Sequence, residues 1–85
     1  MTKYIVMTSS AKMPSTCKGE YRNVAIVEIE DGADYPLMIS KRAKGVVRIV
    51  SQLPPTYVGK TDRCAYAKAL AWATEQTEAL NKARA

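Results

Sequence analysis

The pattern of apolar residues predicts an α+β fold: a small three-stranded antiparallel sheet packed against two C-terminal helices, in the order β-β-β-α-α. Three observations lead there. Two short stretches in the first third are rich in β-branched residues and alternate with a period near two. Residues 40–53 (SKRAKGVVRIVSQL) divide into an apolar and a cationic side when wound at about 100° per residue. Residues 61–82 divide the same way, with an alanine-rich apolar side.

The first strand is expected over residues 3–9, with Ile5 and Met7 pointing one way and Tyr4 and Val6 the other. Residues 10–20 read as a loop punctuated by Pro14 and Gly19. The second strand, residues 21–30, places Ala25, Val27 and Ile29 on one face, while Glu28 and Glu30 mark a wet face that Val24 and Ile26 share at its near end. Asp31-Gly32 suits a tight turn, because Gly accepts positive φ and Asp bonds its own backbone. A short third strand is expected at residues 35–39, with Pro36 confining it to an edge.

Ser40 is a natural N-cap for the first helix, and Pro54-Pro55 ends it, since a residue before proline avoids the α region. On this helix Ala43, Val46, Val47, Ile49, Val50 and Leu53 form the buried side, opposite Lys41, Lys44 and Arg48. Gly45 is its weak point, costing about 1 kcal/mol relative to Ala. The competing arrangement puts Gly45 in a turn and makes residues 46–53 a fourth strand. Val46, Arg48, Val50 and Gln52 would then share one face, a poor alternation, so the helix is preferred. A second helix is expected from a Thr61 or Asp62 cap to about Lys82, burying Ala65, Tyr66, Ala69, Leu70, Trp72, Ala73 and Leu80.

Eighty-five residues form one domain, residues 1–85, with a thin core that pairing with a second copy would thicken. The N-terminal stretch holds too few apolar residues for a secretory signal, and two cysteines are too few for a disulfide framework. Both features point to a cytoplasmic protein with Cys17 and Cys64 as free thiols, and no membrane-spanning stretch is expected.

Charge narrows the function further. The net charge is +5, distributed as +3 over residues 1–19, −4 over 20–34 and +6 over 41–68. Histidine is absent, which removes the commonest general base and the commonest metal ligand. No cofactor, metal site or catalytic residue is expected, and the chain reads as a non-enzyme. Gly59-Lys60-Thr61 resembles the end of a phosphate-binding loop, but Pro54 stands where that loop needs its first glycine. Glu28, Glu30, Asp31 and Asp34 lack the oxygen-rich loop of a calcium site. Cys64, expected in the first turn of the second helix beside Arg63, suits a depressed thiol pKa, although a half-buried structural thiol explains it more simply.

What remains is a binding protein. Lys41, Lys44 and Arg48 are expected to contact nucleic-acid phosphates, Lys60 and Arg63 to extend the track, and Tyr57 to stack on a base. The alternative is an inhibitor or adaptor, of the kind mobile elements and phages encode, whose basic face docks on an acidic protein surface.

Overall fold

The computed structural model describes residues 1–36 and 38–84. Four antiparallel strands and one helix follow in chain order: β1 (Thr2–Ser10), β2 (Glu20–Glu30), β3 (Val46–Gln52), β4 (Thr56–Val58) and α1 (Ala65–Arg84). The α+β class holds; among the described residues the expected pair of helices is a single helix.

β2 is the organising strand. Along one edge β1 pairs with it in an unbroken register from Thr2↔Glu30 to Ser10↔Arg22. Along the other edge β3 takes Ala25 to Ile29, and β4 takes Glu20 to Arg22. The continuous apolar run of β2 follows from burial on both faces, since every residue from Val24 to Ile29 is buried. One face gathers Ile5, Met7, Ala25, Val27 and Ile29, with Ile39, Val46 and Ile49 packed against them. The opposite face gathers Val24 and Ile26 under Ala73 of α1, with Tyr4, Val6, Val50, Leu53, Tyr66, Ala69 and Leu80 around them.

The valine-rich middle is the main correction: residues 46–52 form a strand where a helix was expected. Gly45 has φ +86°, which ends any helix through that point, and its carbonyl accepts the Glu30 amide at 2.9 Å, the first rung of the β2–β3 pairing. Val46, Val47, Ile49 and Val50 are β-branched and favour extended backbone. The misleading periodicity has a structural cause. The register slips between Ile26 and Val27 and again between Glu28 and Ile29, leaving Val50 and Val47 as extra residues. Two bulges convert the period of two into a local period of three, so Val46, Ile49 and Gln52 recur on one face at nearly helical spacing.

Two smaller expectations change as well. Tyr35, Pro36, Met38 and Ile39 form no strand, and Leu37 of that stretch lies outside the described residues. The C-terminal helix begins at Ala65 rather than at Thr61 or Asp62. Cys64 occupies the capping position, its Sγ accepting the Ala67 amide at 3.4 Å. Tyr66, Ala69, Ala73 and Leu80 face the sheet as expected, whereas Trp72 is 43% exposed. Cys17 and Cys64 are free. Among the described residues no helix is long and apolar enough to cross a membrane.

Candidate nucleic-acid interface

Tyr57 is placed by the sequence on both sides of it. Pro54-Pro55 holds the chain extended, and Thr56–Val58 then pairs with the start of β2 in the register Tyr57↔Tyr21. Directly opposed residues share a face, so Tyr57 lies on the side of the sheet away from α1. The two rings meet edge to face, with centroids 5.6 Å apart and planes at 66°.

Gly19 makes room for one side of the Tyr57 ring, and Gly59 lies within ordinary contact of the other. A Cβ at Gly19 would stand 2.4 Å from Cε2, and one at Gly59 would stand 3.5 Å from Cε1. Gly19 also has φ +101°, a conformation other residues adopt at a cost. The ring is thus held by contacts on its flanks while remaining 46% exposed. Beside each glycine stands a lysine: Lys18 before Gly19 and Lys60 after Gly59, both exposed. Arg63 is exposed in the same β4–α1 connection, where its amide donates to Thr61 Oγ1 at 3.3 Å. Among the described residues, Lys18, Lys60 and Arg63 make no ion pair. Tyr21 and Lys18 escaped the sequence reading, because only the β2–β4 register and the Gly19 contact bring them to Tyr57.

Cys64 borders this site. Main-chain amides of Gly59 and then Ala67 hydrogen-bond its sulfur and hold the thiol below its usual pKa. The thiol is half-buried.

The remaining expected residues lie elsewhere. Lys41 and Lys44 are exposed in the turns that precede β3, at the far end of β2. Ser40 keeps a capping role there, although in a turn, accepting the Arg42 amide at 3.2 Å. Lys44 lines a cleft of about 630 Å³ whose wall includes Glu30, Asp31 and Asp34, so its surroundings are partly acidic. Ten residues of β2 separate this end from the Tyr57 end, roughly 33 Å at the usual rise.

Arg48 stands opposite Glu28 in the β2–β3 register, and its Nε donates to Glu28 Oε1 at 2.8 Å. That bond first, and one to Tyr4 second, raise the guanidinium above its usual pKa. Glu28 also accepts from the Thr2 hydroxyl and is 8% exposed, so the expected wet face is closed at that position. Lys41, Lys44 and Arg48 therefore form no common face, and Arg48 is committed to a carboxylate of its own chain. No family model matches the chain, and neither a curated protein nor a solved structure does.

Proposed function

We propose that the protein is a small, non-catalytic nucleic-acid-binding protein that engages its ligand at the Tyr57 end of the sheet. One observation supports this reading above the others: an exposed aromatic ring stands between two glycines, each followed or preceded by a lysine free of ion pairs. Lys18, Lys60 and Arg63 offer phosphate contacts, and Tyr57 offers a surface for a base. Lys41 and Lys44 serve only a ligand long enough to reach the far end of β2, and Arg48 takes no part.

A salt titration tests this. Fluorescence anisotropy with labelled DNA and RNA oligonucleotides, between about 50 and 200 mM salt, is expected to show affinity falling steeply as salt rises. A Lys60→Glu/Arg63→Glu double change should reduce the logarithmic salt slope by about 1.4 to 1.8, two phosphate contacts' worth. Lys44→Glu should change it less. Absence of binding to any oligonucleotide at low salt sinks the proposal. A stoichiometric protein partner lost on the same double change would then favour the acidic-surface alternative.

A further inference from the structure

Resting on the nucleic-acid reading, we infer that the ligand is single-stranded, with an unstacked base lying on Tyr57. In a duplex the π-faces of the bases are covered by their neighbours, so an aromatic ring on a sheet surface finds only sugar and phosphate. In a single strand those faces are open, and stacking on aromatic side chains is the general mode of recognition. Tyr57 is built for the second case. Its position is set by the edge-to-face contact with Tyr21 and by the close approach of Gly19, yet nearly half of the residue is open to solvent. An ordered aromatic ring loses little conformational freedom on binding.

The distribution of charge agrees. Lys18 and Lys60 adjoin the glycines on two sides of the ring, where the backbone on either side of a stacked nucleotide would pass. Reading a duplex groove generally requires a protruding helix or ribbon with basic residues. Among the described residues the one helix is packed along the sheet, and its exposed charges alternate in sign, Lys68 and Lys82 flanking Glu75 and Glu78, so it presents no continuous basic face to a groove.

The test begins with the unaltered protein, competing a labelled single strand against unlabelled single strands and duplexes of the same sequence, as DNA and as RNA. Single strands are expected to compete at least tenfold better than duplexes. Tyr57→Leu, checked for folding by circular dichroism, is expected to lose about 5-fold to 150-fold in single-strand affinity with an unchanged salt slope. Tyr57→Phe should retain most of the affinity, since the ring is kept. Duplexes that compete equally or better would overturn the single-strand inference while leaving nucleic-acid binding standing, and so would a Tyr57→Leu protein of unchanged affinity. Failure to bind either form would overturn the function reading itself.

Discussion

The side-chain amide of Asn81 closes two hydrogen bonds on a single residue of β1: Nδ2 donates to the Tyr4 carbonyl and Oδ1 accepts the Tyr4 amide, each at 2.9 Å. Seventy-seven positions apart in sequence, the two residues join the last turns of α1 to the outer edge of the sheet. An edge strand exposes main-chain groups that other strands can capture, and here a helix side chain takes one pair of them. Asn81→Ala is expected to cost about 1–3 kcal/mol, read as a lower urea midpoint with an unchanged slope. A midpoint equal to that of the unaltered chain would show the clamp to be dispensable.

Ala73 is fully buried against Val24 and Ile26, which are themselves 0% and 2% exposed. No room remains for a larger side chain, because α1 approaches the sheet through this methyl group. Ala73→Leu is expected to destabilise by about 1–3 kcal/mol through overpacking. Ala71→Leu, at an exposed position two residues away, should stay within about 0.5 kcal/mol. Equal effects of the two in thermal melts would mean that the helix docks differently.

Buried Glu28 depends on Arg48 across the β2–β3 ladder. Arg48→Ala should lower the urea midpoint, since a carboxylate out of water loses its guanidinium. Adding Glu28→Gln to that variant should recover part of the loss, because a neutral amide is easier to bury. A double variant less stable than Arg48→Ala alone would contradict this account.

Gly19 holds a positive φ against the edge of the Tyr57 ring. Gly19→Ala is expected to cost at least about 1–2 kcal/mol from the backbone alone. The added methyl must also displace the ring, so the Tyr57 ring resonances should shift in an NMR spectrum. Unmoved resonances would show that the slot has slack.

The thiol of Cys64 should titrate below the usual thiol value of 9.0, because the Gly59 and Ala67 amides favour its thiolate. In a Cys17→Ser background, iodoacetamide alkylation of the folded chain is expected to have its midpoint at lower pH than in the urea-unfolded chain. The sign for stability follows: a depressed folded-state pKa adds stability that is complete above the unfolded midpoint and is lost as pH falls through the folded one. Coincident midpoints would remove the thiolate-stabilising role from those amides.

Much of the framework was legible from local chemistry. The period-two runs gave β1 and β2 and the alanine-rich periodicity gave α1; Pro54-Pro55 marked a break, but the element before it is β3 rather than a helix, and β4 after it was not expected. The proposed contact surface was not. Lys41, Lys44 and Arg48 form a stripe only if residues 40–53 coil, and the two bulges of β3 imitate that periodicity while producing an extended strand. Nothing in sequence distance could signal that Gly19 packs on Tyr57 or that Glu28 captures Arg48, since both depend on register.

The amino-acid sequence by itself determined the α+β class and the excess of positive charge, because composition and short-range patterning act along the chain. The tertiary structure decided which cations are paired, as Arg48 is, and which glycine stands against the exposed ring of Tyr57. Strand pairing brings together residues that are tens of positions apart, and it is this pairing that ties Arg48 to Glu28 while setting Tyr57 between Gly19 and Gly59.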